Sequence, residues 1–157
     1  MNLEELVRIN LQEGNVLDLE KRMIGDAGVR ELVQMEILGQ ITRLELGDNE
    51  ITDEGLQALA ASPLLENLKI LNLKSNKFTA EGVRALAASP HLRGLDQLIL
   101  KFNDVGEEGA RHIAQSTTLT QLTTLDLHRA RIGKEGIRLI KQSPLYPKLS
   151  RVRLTEL

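Results

Sequence analysis

The chain has 157 residues, of which 41% are apolar and 27% are charged, and its formal net charge is −2. A chain of this length can bury one sizeable core, and a charge this small gives no general attraction to nucleic acid or to an anionic membrane. The absence of cysteine excludes disulfides, thiolate metal sites and cysteine nucleophiles, and the 2% aromatic content argues against stacking platforms for single-stranded nucleic acid.

The first element predicted along the chain is a short amphipathic helix over residues 2–12, NLEELVRINLQ. Asn2 and Glu5 have the spacing of a capping box, and an apolar stripe follows, formed by Leu3, Leu6, Val7 and Leu11. We expect this helix to act as an N-terminal cap over residues 1–13. The acidic start and the lack of a long apolar run predict neither a secretory signal nor a membrane span, and thus a cytoplasmic protein.

A 27-residue repeat runs through the rest of the chain. Apolar residues recur at this spacing as Leu17, Leu44, Leu71, Leu98, Leu125 and Val152, and glycines recur as Gly28, Gly55, Gly82, Gly109 and Gly136. Such regularity is typical of repeat architectures, in which each unit covers its apolar face only by stacking on its neighbours. The sequence therefore predicts five units over residues 14–149 within one domain, 1–157.

Each unit changes its hydrophobic period from strand to helix. Segments such as ITRLEL and LKILNL fit the pattern LxxLxL, which predicts a short strand with its leucines pointing inward. Segments such as TDEGLQALA have helical spacing, begin at Thr52 or Thr79 as predicted caps, and end near Ser-Pro pairs. Stacked units of this kind give an α/β solenoid, with a curved parallel sheet on the concave side and helices on the convex side.

The last segment, residues 150–157, predicts a sixth strand with no helix after it. This strand lies at an edge, where Arg151 and Arg153 can discourage pairing with other chains. Two alternatives remain open: the chain is cut from a longer protein, or another protein covers this edge.

The pattern LxxLxLxxN followed by a helix resembles the leucine-rich repeat family. Its strand-helix alternation is similar to the ribonuclease-inhibitor-like subfamily, and ITDEGLQALA is similar to the cysteine-containing subfamily, although the cysteine is absent here. The resemblance covers residues 14–157 and implies a solenoid that commonly binds through its concave side. It also implies that Asn49, Asn76 and Asn103 form a polar ladder that ties down the turns, while Arg22 and Ala130 occupy this position in the outer units.

Residues between the strand leucines are expected to form the concave face. The residues predicted to contact a protein partner there are Asp18, Glu45, Asn72, Lys74, Ile99, Lys101, Phe102, Asp126, His128 and Arg153. Ile70, Ile99 and Phe102 are candidates for a central apolar patch, as in many protein interfaces. The alternative is that Phe102 folds into its turn and packs against a neighbour.

Charge is distributed unevenly along the chain. Residues 1–50 have a net charge of −6, residues 51–122 of −1 and residues 123–157 of +5. This gradient allows three interpretations: steering of a charged partner, head-to-tail association of an acidic end with a basic end, or ordinary solvated surface.

No motif in the chain indicates catalysis, a cofactor or a metal site. The histidines occupy unrelated repeat positions, the glycines form no phosphate-binding loop, and carboxylates such as Asp53 and Glu54 lie at helix starts where the dipole favours them. A basic cluster near the C-terminal end could meet phosphate or an acidic protein, and it consists of Arg129, Arg131, Lys134, Arg151 and Arg153.

The sequence therefore predicts a non-catalytic module that binds a protein partner through its concave face, without nucleic acid or membrane. Two alternatives remain. By resemblance, the chain is a regulatory protein of the GTPase-activating or adaptor type. By its charge gradient, it is a weak homo-oligomer that stacks its acidic end on its basic end.

Overall fold

A computed structural model describes all residues, 1–157, as strands and helices in regular alternation. The elements in chain order are α1 (Leu3–Asn10), β1 (Leu11–Gln12), β2 (Val16–Asp18), α2 (Gly25–Leu32), β3 (Arg43–Glu45), α3 (Asp53–Ala60), β4 (Ile70–Asn72), α4 (Ala80–Ala88), β5 (Gln97–Ile99), α5 (Gly106–Ala114), β6 (Thr124–Leu127), α6 (Gly133–Lys141) and β7 (Arg151–Leu154). Short 3₁₀ segments precede three strands and span Glu36–Gln40, Pro63–Asn67 and Tyr146–Lys148. No helix is long and apolar enough to cross a membrane.

The strands form one open seven-stranded sheet in sequence order, with β2 to β7 parallel. Their register follows the repeat, since Leu17 pairs with Leu44, Leu44 with Leu71, and so on to Leu125 and Val152. The predicted solenoid fold is thereby confirmed, with the sheet on the concave side and the helices on the convex side.

The core is one continuous cluster of leucine, isoleucine and valine between the sheet and the helices. The first strand leucines of β2 to β6 are at most 1% exposed, and each contributes about 2 kcal/mol through burial. Val152 and Leu154 of β7 take the equivalent positions but remain partly exposed, because no further unit packs against them in this chain.

The N-terminal helix is shorter than the sequence predicts. Helix α1 ends at Asn10. Leu11–Gln12 forms strand β1, an additional strand that the sequence did not predict, and it pairs antiparallel with β2. The turn between them places Gly14 and Asn15 at positive φ, which closes the hairpin. Leu11 is consequently 38% exposed instead of covering the core, whereas Leu3 and Val7 are buried and the predicted Asn2 cap accepts the Glu5 N–H at 2.8 Å.

Asparagine side chains join each turn to the next. The Asn76 Oδ1 atom accepts the backbone N–H groups of Asn49 and Ile51, both at 3.0 Å. Its Nδ2 atom donates to the carbonyls of Leu46 and Leu73 at 3.1 and 2.9 Å. Asn49 and Asn103 make equivalent bonds to their own preceding turns. Backbone groups that lack sheet partners at the strand ends are thereby satisfied.

A carboxylate from one helix caps the next helix in the first two junctions. Asp53 accepts the Thr79 N–H at 2.7 Å, the Thr79 hydroxyl at 2.7 Å and the Gly82 N–H at 2.9 Å. Asp26 bonds the following helix in the same way, and the Thr52 side chain donates to it. The prediction that Thr52 caps its own helix is therefore wrong, because its hydroxyl is used across the junction. Thr79 does accept the Glu81 N–H, at 3.4 Å.

Two of the repeating glycines, Gly55 and Gly82, lie where the preceding helix approaches closely. A Cβ atom at Gly82 would lie 2.8 Å from Asp53 Oδ1 and 2.9 Å from Leu56 Cδ1 of the preceding unit. Such distances leave no room for a side chain, so glycine permits the close packing and the Asp53 contact together.

Candidate protein-binding face

The solvent side of the parallel sheet is built from three rows of residues that run across the strands. We call this surface the concave face. The central row consists of Asp18, Glu45, Asn72, Ile99, Asp126 and Arg153, which are consecutive partners in the strand register. The row before it pairs Val16, Arg43, Ile70, Gln97, Thr124 and Arg151. The third row follows two residues after the central one and includes Glu20, Lys74, Lys101 and His128.

Several predicted contact residues already bond within the chain. The side chains of Asp18, Asn72 and Asp126 each accept the backbone N–H two residues further on, at 3.0 to 3.1 Å. This local bond is an Asx-type turn that bends the chain out of the strand. These three side chains therefore support the fold as well as line the face.

Ion pairs neutralise other charges on the face. Arg43 Nε lies 2.6 Å from Glu45 Oε1, Lys74 Nζ lies 2.9 Å from Glu20 Oε1, and Arg153 pairs with Asp126 at 3.3 Å. Glu45 and Asp126 are only 8% and 7% exposed, so a partner has little direct access to them.

The remaining candidates, Ile99, Lys101, Phe102 and His128, lie towards the C-terminal half of the face. Ile99, Lys101 and His128 are partly exposed. The Phe102 side chain is 45% exposed, in contrast to the other phenylalanine, Phe78, which is fully buried. The Phe102 ring meets the His128 ring edge-on at 5.6 Å, and Lys101 Nζ lies 5.9 Å from its centroid. Phe102 is thus not folded into the core.

Two arginines that are not among the predicted contact residues lie beside this group. Arg129 and Arg131 are exposed, and they line a groove of about 840 Å³ with Phe102, Asp104 and Glu156. The turns after β5 and β6 and the segment after β7 bring these residues together. The repeat period could have placed Arg129 beside Phe102, since Arg129 is the equivalent of Phe102 one unit later.

Phe102 occupies a position that the fold holds at positive φ. The equivalent residues of successive units are Lys21, Asp48, Ser75, Phe102 and Arg129, with φ between 50° and 59°. Asparagine and aspartate tolerate this conformation, whereas bulky residues are strained in it. Phe102 is the one apolar residue of the five. Its exposure means that burial does not explain a phenylalanine here, and its positive φ means that backbone preference does not explain it either.

Replacing Phe102 by asparagine should leave the free energy of unfolding unchanged within about 0.5 kcal/mol or raise it slightly, because asparagine suits this backbone and little apolar area is lost. Replacing it by valine should lower the free energy of unfolding by about 1 kcal/mol, since a β-branched residue is strained at positive φ. Urea denaturation followed by circular dichroism measures both. An equal decrease in the free energy of unfolding for the asparagine and valine variants would contradict this account of the backbone at Phe102.

The clearest pKa shifts lie away from the concave face, on α6. The hydrogen bond and charge of Arg138 lower the pKa of Glu135, and the same bond raises the pKa of Arg138. Both side chains are solvent-accessible and one helical turn apart, as expected of a surface ion pair. No group of three or more histidine, aspartate and glutamate residues is arranged to hold a metal ion.

The 27-residue repeat, the open parallel sheet and the asparagine-bonded turns define a leucine-rich-repeat solenoid. Residues 41–60 and 65–87 match the family model described as "Leucine Rich repeat". A search of curated proteins finds no match.

Among solved structures, 47 chains match. One of them is an internalin from Listeria monocytogenes, with 24% sequence identity and a TM-score of 0.47. The alignment covers 80% of this chain, which spans only 38% of the internalin chain.

Proposed function

We propose that this chain is a non-catalytic module that binds a partner protein on its concave face. The observation that carries the proposal is Phe102, an aromatic residue at the edge of the face whose side chain is exposed and whose backbone is held at positive φ. Natural interfaces concentrate binding energy in a few aromatic and arginine side chains surrounded by polar residues. Lys101 and His128 lie beside the ring and make no ion pair within the chain, and Ile99 adds a partly exposed apolar side chain to the same face.

Site-specific photocrosslinking tests which surface meets a protein. We expect benzoylphenylalanine at Gln97 or Ile99, on the concave face, to give a discrete protein adduct in native lysate. The same group at Gln57 or Arg84, on the exposed side of α3 and α4, serves as the matched control. Excess unmodified chain should compete the adduct away. Equal adducts from both surfaces, or adducts from the helices alone, would contradict binding through the concave face.

Self-association is a second candidate, supported by β7. This strand lies at the open edge of the sheet, exposes Arg151 and Arg153, and leaves Val152 and Leu154 partly exposed. The opposite end of the chain is acidic, since residues 1–50 have a net charge of −6. A second copy could therefore stack its acidic end against β7, which would produce open chains.

Sedimentation velocity tests this stacking. At high protein concentration and about 50 mM NaCl, the stacking model predicts a mass above that of the monomer, which falls as about 500 mM NaCl screens the charges. A monomer under both conditions would exclude electrostatic stacking. An oligomer that resists salt would point to apolar contacts at β7 instead.

The units are further proposed to be of the ribonuclease-inhibitor-like type. Support comes from the crossovers, each of which contains an α-helix of 8 or 9 residues from α2 to α6.

A further inference from the structure

Some cations of the concave face are paired with carboxylates and others are not. Among the cations in its three rows, Arg43, Lys74 and Arg153 are paired with carboxylates. Lys101 and Arg151 form no ion pair, and neither do Arg129 and Arg131 in the turn after β6. Within the three rows of the face, the unbalanced cations therefore lie in the C-terminal half, and the turn after β6 adds two more; Lys21 and Arg22 in the turn after β2 are also unpaired, but no exposed aromatic ring lies in that turn.

Three of these cations, Lys101, Arg129 and Arg131, lie beside the exposed ring of Phe102 or line the same groove. We define the Phe102 site as Lys101, Phe102, His128, Arg129 and Arg131. Phe102, Arg129 and Arg131 line one groove, while His128 and Lys101 lie against the Phe102 ring. Two carboxylates, Asp104 and Glu156, line the same groove without pairing to either arginine.

The segment that carries both arginines of the site is basic, since residues 123–157 have a net charge of +5. Within the groove, Arg129 and Arg131 are matched in number by Asp104 and Glu156, the terminal residue Leu157 also lines it, and Lys101 adds a cation beside the Phe102 ring. At the other end of the concave face Glu20 and Glu45 are balanced by Lys74 and Arg43, but Asp18 makes no ion pair and residues 1–50 have a net charge of −6, which disfavours an acidic ligand there. An acidic ligand is therefore directed to the Phe102 site rather than to the first strands.

We propose that the Phe102 site binds an acidic peptide segment of the partner protein that carries an apolar side chain. The apolar side chain packs on the Phe102 ring, and flanking carboxylates pair with Arg129 and Arg131, whose guanidinium groups match carboxylates in bidentate geometry. This inference rests on the proposed function, since it names the chemistry of the protein bound there.

A polypeptide suits the site better than nucleic acid does. Only one exposed aromatic ring is present, whereas single-strand binders stack successive bases on several rings. The chain is acidic overall, and the unfavourable charge of its first units extends along the same face. The test therefore includes a phosphate-rich probe, so that nucleic-acid binding can be distinguished from binding of an acidic peptide.

Selection from a random dodecapeptide phage library on the immobilised wild-type chain tests the inference. We expect enriched peptides to carry aspartate or glutamate on both sides of an apolar residue. The double variant Arg129→Glu/Arg131→Glu and the variant Phe102→Asn should each weaken binding of an enriched peptide by about tenfold or more, as loss of a hot-spot residue does. Fluorescence anisotropy measures these affinities.

The matched control is Arg93→Glu/Lys141→Glu, which makes the same charge change at exposed positions before β5 and at the end of α6. It should weaken binding by less than about threefold, since only the screened long-range field changes. Enrichment of basic or uncharged peptides, no enrichment, or equal losses in both double variants would overturn the inference. So would an oligothymidine probe that displaces the peptide and binds more tightly.

The photocrosslinking experiment distinguishes failure of this inference from failure of the proposed function. Adducts at Gln97 or Ile99 without acidic peptides in the selection would leave the concave face as the binding surface and remove only the assignment of partner chemistry.

Discussion

Replacing Asn76 by alanine should lower the free energy of unfolding by about 3 kcal/mol, because several partly buried backbone groups lose their partners together. Its amide accepts two N–H groups from the preceding turn and donates to carbonyls on both sides of the junction. Urea denaturation followed by circular dichroism measures the loss.

Asn67 offers a matched control for this substitution. Its exposed side chain also crosses to the previous unit, but it makes one hydrogen bond, from Nδ2 to the Gly39 carbonyl at 2.8 Å. Replacing Asn67 by alanine should cost less than about 1 kcal/mol. If the two alanine variants unfold at the same urea concentration, the asparagine turns do not hold the units together as described.

Replacing Asp53 by alanine should lower the free energy of unfolding by about 2 kcal/mol, the cost of losing charge-assisted bonds and a helix cap. The carboxylate accepts three hydrogen bonds from Thr79 and Gly82, so its removal leaves two N–H groups at the start of α4 without their acceptor and weakens the contact between α3 and α4. Thermal and urea unfolding measure the loss.

The adjacent carboxylate, Glu54, is the natural control because it lies in the same helical turn. Its side chain is 78% exposed and its closest cation is Arg30 at 3.8 Å. Replacing Glu54 by alanine should change stability by less than about 0.5 kcal/mol, as expected of a surface ion pair. Equal losses for both variants would mean that the helix dipole, rather than the junction bonds, accounts for the effect.

The junctions between units use two different chemistries. Where a unit begins its helix with Thr52 or Thr79, an aspartate of the preceding helix reaches across the gap. Where it begins with Gly25, Gly106 or Gly133, the glycine N–H donates instead to a carbonyl of the following unit. Both solutions satisfy the first amides of a helix, which have no partner within the helix.

The proposed binding site depends on one irregularity in an otherwise regular structure. Most positions of the repeat are filled by residues that suit the fold, and many charges of the concave face are balanced within the chain. Phe102 departs from this rule, and so do the unpaired cations near it. Such local departures from folding preference are where function is expected.

The sequence by itself determined the repeat, its strand register and the burial of its leucines. The physical reason is that an apolar residue every 27 positions can be buried in every unit only if each unit stacks directly on the one before it. It could not determine the end of α1, because Leu11 fits a helical stripe and an edge strand equally well and the hairpin at Gly14 decided between them.

Tertiary structure alone decided which polar residues of the face are free. Lys74 and Lys101 occupy the same repeat position, yet Lys74 pairs with Glu20 at 2.9 Å and Lys101 makes no ion pair. It also decided that Thr52 bonds Asp26 of the previous unit rather than its own helix. These outcomes depend on distances between side chains in neighbouring units, which the spacing of residues along one chain does not specify.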